Sequence, residues 1–76
     1  MRIISQDGYI DIPYENTILK VCETPSSVHI VGHFPSGEVI TLAKYKEICT
    51  ALKNLKNVRL EYEIGKKRMR FLKDGE

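Results

Sequence analysis

Residues 1–14 read MRIISQDGYIDIPY, two short β-prone runs on either side of Asp7-Gly8. An Asp-Gly pair between such runs is the strongest short-range signal for a β-hairpin. A two-residue turn there sets Gln6 opposite Tyr9, Ser5 opposite Ile10 and Ile3 opposite Ile12. Ile3, Ile10 and Ile12 then share one face, and Ile4, Gln6, Tyr9 and Asp11 take the other. A slip of one residue would scatter the isoleucines, so the pattern fixes the register. Pro13 ends the second run because it has no N–H for a ladder.

The rest of the chain is punctuated at regular intervals by turn residues: Thr24-Pro25-Ser26-Ser27, Pro35-Ser36-Gly37, residues 54–57 and Gly65-Lys66. Residues 18–23, 28–34 and 38–43 alternate as strands of a meander. Tyr45, Ile48, Cys49, Leu52 and Leu55 recur at helical spacing and predict a helix of about three turns, with Thr41 the nearest capping residue. Val58, Leu60, Tyr62 and Ile64 alternate with Arg59, Glu61 and Glu63, the pattern of a half-buried strand. Gly65-Lys66 would turn that strand back into residues 68–72, with Met69 and Phe71 facing inward. The expectation is a single α+β domain over residues 1–76. Its mainly antiparallel sheet, hairpin plus meander, packs against one α-helix and carries a C-terminal β-hairpin on an edge that the sequence leaves open.

At 76 residues the chain buries only about 60% of its unfolded surface. That narrow margin raises the expectation of a homo-oligomer. Two cysteines, Cys22 and Cys49, are too few for a secreted disulfide scaffold. No apolar run approaches the roughly 18 residues of a membrane span, and the turn at Asp7 arrives before any signal-peptide core. The chain therefore reads as cytoplasmic, with reduced thiols and no membrane partner.

The net charge of +2 is uneven: residues 1–43 carry two basic and five acidic side chains, residues 44–76 ten and five. Arg59, Lys66, Lys67, Arg68 and Arg70 are the candidate residues for an anionic ligand, since clustered Lys and Arg attract phosphates. Tyr62 and Phe71 lie among them as stacking surfaces. Tyr9, Tyr14, Tyr62 and Phe71 are the candidate interface residues, aromatic side chains being favoured at hot spots. His29 and His33, four apart on a strand, stand roughly 13 Å from each other, too far to share a zinc ion. Cys22 faces His29 across the second turn, but no third residue or oxyanion loop accompanies the pair. No metal, cofactor or catalytic residue is expected, and the glycines form no phosphate loop.

Residues 1–8, Ile10, Asp11 and residues 13–15 spell MRIISQDG…ID.PYE, and Ala43-Lys44-Tyr45 followed by Ala51-Leu52 and Leu55 continues the pattern. In these stretches the chain resembles a group of small uncharacterised proteins from phages and prophages of Gram-positive bacteria. Lys46-Glu47-Ile48-Cys49 departs from the small-polar, acidic helix start of that group. The resemblance implies a mobile-element accessory protein in the bacterial host cell and supplies no reaction, ligand or functional residue. The resulting expectation is a non-enzymatic protein that binds a host factor, such as an inhibitor of host defence. Two alternatives stand beside it: an oligomeric sponge for a nucleotide-type signalling molecule, and a small nucleic-acid-binding regulator.

Overall fold

In a computed structural model that describes residues 1–74, the N-terminal hairpin forms in the register its isoleucines dictate. Strands β1 (Arg2–Ile4) and β2 (Asp11–Pro13) run antiparallel, with Ile3 opposite Ile12. The loop differs from a two-residue turn. The Gly8 N–H donates to the Ser5 carbonyl at 2.9 Å, so Gln6 and Asp7 are the central turn residues and Gly8 follows at φ +82°. Buried Ser5 closes the loop: its hydroxyl donates to Asp7 Oδ1 at 2.5 Å and accepts the Ile10 N–H at 3.1 Å. Gln6 consequently does not pair with Tyr9 but turns toward another part of the molecule.

A 3-10 turn (Tyr14–Asn16) leads into an antiparallel meander of β3 (Ile18–Glu23), β4 (Val28–His33) and β5 (Val39–Tyr45). The pairing of β4 with β5 shifts register at Ile30/Val31, where Ile30 faces Ala43 and Val31 faces Thr41. A bulge of this kind opposes two residues to one, and it lets the consecutive Leu42 and Ala43 both be buried. Gly32 lies on β4 beneath side chains from β2 and the segment before β3; a Cβ there would stand 3.0 Å from Thr17 Cγ2, 3.3 Å from Leu42 Cδ1 and 3.4 Å from Ile12 Cδ1.

The second half of the chain departs from expectation. Helix α1 runs from Ile48 to Glu63, 16 residues, and absorbs the stretch that alternation assigns to a strand. Tyr45 belongs to β5 rather than the helix, and Thr41 is mid-strand; the N-cap is Glu47, which makes no side-chain cap bond. The inward face is Ala51, Asn54, Leu55 and Val58, not Ile48, Cys49 and Leu52. Over a short window, periods of two and 3.6 share positions: Val58 and Tyr62 satisfy both, but only Val58 is buried, while Leu60, Tyr62 and Ile64 are exposed. Gly65 is the helix stop rather than a hairpin turn. At φ +84° it donates its N–H to the Tyr62 carbonyl, and the Lys66 N–H donates to the Glu61 carbonyl, both at 3.1 Å. That is the paired bonding of a Schellman cap.

No C-terminal hairpin can form, because its first strand is helical. Strand β6 (Arg68–Arg70) instead pairs parallel with β1, Met69 beside Ile3, giving a mixed three-stranded sheet in the order β2-β1-β6. The fold is nevertheless α+β, with α1 packed across the β3-β4-β5 sheet. Ile3, Ile12, Ile30, Leu42, Tyr45, Ala51, Val58 and Phe71 form one core between the layers.

Gln6 splices the two sheets. Its N–H donates to the Leu42 carbonyl at 2.8 Å, its Oε1 accepts the Lys44 N–H at 3.1 Å, and its Nε2 donates to the carbonyls of Lys44 and Leu72. The side-chain amide thus stands in for a peptide group at the edge of β5. Tyr45 fastens the same C-terminal segment, its hydroxyl donating to the Leu72 carbonyl at 2.7 Å.

Candidate functional site

The site is built by the far half of α1 and the chain that joins β2 to β3. On α1, Leu55, Arg59 and Tyr62 recur at i, i+4 and i+7 and so share a face. Pro13 ends β2, and the 3-10 turn then brings Tyr14, Glu15, Thr17 and Leu19 alongside that face. Together these residues line a groove of about 430 Å³. Its size is within the usual range for small-molecule sites.

Tyr14 and Tyr62 form the aromatic wall, their ring centroids 4.6 Å apart and the planes tilted by 36°. Leu19 and Leu55 supply apolar surface, and Arg59 a guanidinium without a carboxylate partner among the described residues. The one acid in the lining, Glu15, is already paired: its Oε2 lies 2.6 Å from the N-terminal amine. That hydrogen bond holds its carboxyl below the ordinary glutamate range. Thr17 is likewise committed, donating to the Pro13 carbonyl at 2.6 Å. The groove therefore presents an aromatic pair, an apolar floor and one uncommitted cation.

Of the residues expected to bind an anion, only Arg59 lies in this groove. Lys66 sits past the helix end, its Nζ 3.4 Å from Glu61 Oε2, an enclosed oxygen that accepts no hydrogen bond and has this ammonium as its balancing charge. Lys67 binds through its backbone, its carbonyl accepting the Arg2 N–H at 2.8 Å. Arg68 and Arg70 stand on the exposed face of β6, beside Arg2 and Ile4. Arg2 itself is engaged by Asp11 at 2.8 Å. The basic segment is thus dispersed over a loop and a sheet face rather than gathered on one hairpin.

The expected interface aromatics divide three ways. Tyr14 and Tyr62 meet in the groove, and Tyr9 stands 91% exposed at the hairpin tip. Phe71 is fully buried in the core and cannot contact a partner. The sequence did not single out Leu19, Leu55, Glu15 or Thr17, although Leu55, Arg59 and Tyr62 fall into line once α1 is carried to Glu63.

Cys22 does oppose His29, as the turn at residues 24–27 predicts. His29 Nε2 lies 2.7 Å from the hydroxyl of buried Ser27, and among the described residues no carboxylate bonds the ring. Both cysteines are exposed free thiols. Among the described residues, no cluster of three or more His, Cys, Asp or Glu side chains could hold a metal, and no helix is long and apolar enough to cross a membrane. Comparison with known protein families, curated proteins and solved structures finds no match to this chain.

Proposed function

We propose that the protein is a non-enzymatic binding module that captures a small anionic, aromatic ligand of the nucleotide type. The observation that carries this reading is the convergence of Tyr14, Tyr62 and Arg59 on one groove. A planar base gains by stacking on tyrosine. A guanidinium offers a phosphate two parallel hydrogen bonds. The apolar floor of Leu19 and Leu55 suits the remaining ring surface. The groove is only partly enclosed, and a second copy of the chain is the simplest closure, so the homo-oligomer belongs to the same proposal. In the mobile-element setting implied by the N-terminal pattern, such a module acts inside the bacterial cytoplasm by sequestering a host signal.

Thermal melting against a panel of mono-, di- and cyclic nucleotides tests this. A ligand held at 100 times its Kd adds about 2.7 kcal/mol to stability. The panel should contain at least one compound that raises the melting temperature. Arg59→Ala should remove the rise while leaving the ligand-free melt nearly unchanged, since its side chain is exposed; Tyr62→Ala should also remove it, with a lower ligand-free melt because the ring packs on Tyr14. A panel without any shift argues against the reading.

A further inference from the structure

The two sheets end in the edge strands β2, β6, β3 and β5, and three of these edges are blunted. β2 and β6 are three residues each, and β2 ends in Pro13. The edge of β5 is covered by Gln6, which bonds the Leu42 carbonyl and both backbone groups of Lys44. β3 is different: its six residues contain no proline, and its pairing with β4 carries no bulge. A row of unpaired N–H and C=O groups on such an edge is a template for another strand.

The open groups follow from the ladder. The Thr24 N–H donates to the Ser27 carbonyl at 2.8 Å, so Thr24 and Ser27 are a hydrogen-bonded pair. Bonded and non-bonded pairs alternate along antiparallel strands. Ile18, Lys20 and Cys22 therefore bond to β4. Leu19, Val21 and Glu23, opposite Gly32, Ile30 and Val28, aim their N–H and C=O groups away from it. These outward groups have no hydrogen-bond partner among the described residues. One end of the edge closes where the Thr17 N–H folds back onto the Tyr14 carbonyl at 3.2 Å, and the other where the chain turns at Thr24. The open stretch is thus symmetric about Val21.

We infer that a second copy of the chain pairs with this edge, β3 antiparallel to β3 about a two-fold axis at Val21. Val21 then faces its own copy and each Leu19 faces the other chain's Glu23, so every outward group is bonded. An axis at Lys20 would set two lysines face to face and carry Glu23 to the closed end at Thr17. An axis at Cys22 would set Leu19 against Pro25, which has no N–H to give. The Val21 register also brings Glu23 of the second copy beside Leu19, on the face where Leu19 and Arg59 line the groove. The second copy so supplies the carboxylate that Arg59 lacks among the described residues of its own chain. That charge match favours a second copy over another extended segment. A phosphate in the groove would compete for the same guanidinium, so the pairing is tested without ligand and does not rest on the nucleotide reading.

Sedimentation velocity on the ligand-free full chain tests the association, with reductant present because Cys22 and Cys49 are exposed free thiols. The chain should dimerise as concentration rises. Lys20 faces Cys22 of the second copy in this register, so Cys22→Lys should weaken the dimer about threefold or more and Cys22→Glu should tighten it by a similar factor. Glu23→Lys, which opposes Arg59, should weaken it as well. Circular dichroism confirms the fold of each variant. Hydrogen exchange on the unaltered chain reads the edge itself: the amides of Leu19, Val21 and Glu23 should slow as the dimer forms. The inference is overturned if the chain stays monomeric at millimolar concentration, or if the two Cys22 variants leave the dimer unchanged or shift it the same way. It is also overturned if Glu23→Lys has no effect, or if the three outward amides exchange as fast in the dimer as in the monomer.

Discussion

Individual side chains in this protein matter most where they replace backbone. Gln6 satisfies groups from β5 and from the C-terminal segment at once. Gln6→Glu sets a carboxylate against the carbonyls of Lys44 and Leu72, and should cost about 1–3 kcal/mol in urea unfolding. Gln6→Ala, which opens the site to water, should cost less. Asp7 is held below the ordinary aspartate range first by the Ser5 hydroxyl and then by the Tyr9 N–H. Its folded value lies below its unfolded one, so the stability it contributes is present above the unfolded value of about 3.9 and lost as pH falls through the folded value. Glu15 acts in the same direction. The urea midpoint should therefore fall as pH drops below about 4, and Asp7→Asn should flatten part of that fall. An unchanged profile in the variant contradicts the role given to the Ser5-Asp7 bond.

At the scale of elements, what local chemistry could specify was legible and what depended on distant contacts was not. The β1/β2 register, the span of β3 and the pairing of Cys22 with His29 follow from alternation and turn residues alone. The alternation of Val58, Leu60, Tyr62 and Ile64 mimics a strand and hides the last two turns of α1, and only burial of Val58 and the cap at Gly65 reveal the longer period. Gly65→Ala tests the cap: a residue with a Cβ at φ +84° should lose roughly 1–2 kcal/mol in urea unfolding. Gly32→Ala tests how closely the layers approach. With 3.0 Å to Thr17 Cγ2, overpacking should cost about 1–3 kcal/mol, and a neutral result would mean that β4 has room the structure does not show.

At the scale of the whole molecule, β6 closes the fold by lying parallel to β1, a contact spanning nearly the full chain that no local pattern encodes. That closure buries Phe71 and removes it from any interface, and it places Arg68 and Arg70 away from the groove that holds Arg59. Three of the seven lining residues, Tyr14, Arg59 and Tyr62, are therefore readable as residue types, but their assembly is not, since Tyr14 and Tyr62 meet only after both the 3-10 turn and the extended helix are in place. The central claim is that this meeting point is where the protein binds. Amide chemical-shift mapping during titration with a nucleotide identified by thermal melting tests it most directly. The account predicts shifts concentrated at residues 14–19 and 55–62 that saturate together and vanish in Arg59→Ala. Shifts confined to the basic face of β6, or to residues 46–57 and the segment near Leu72, would contradict it.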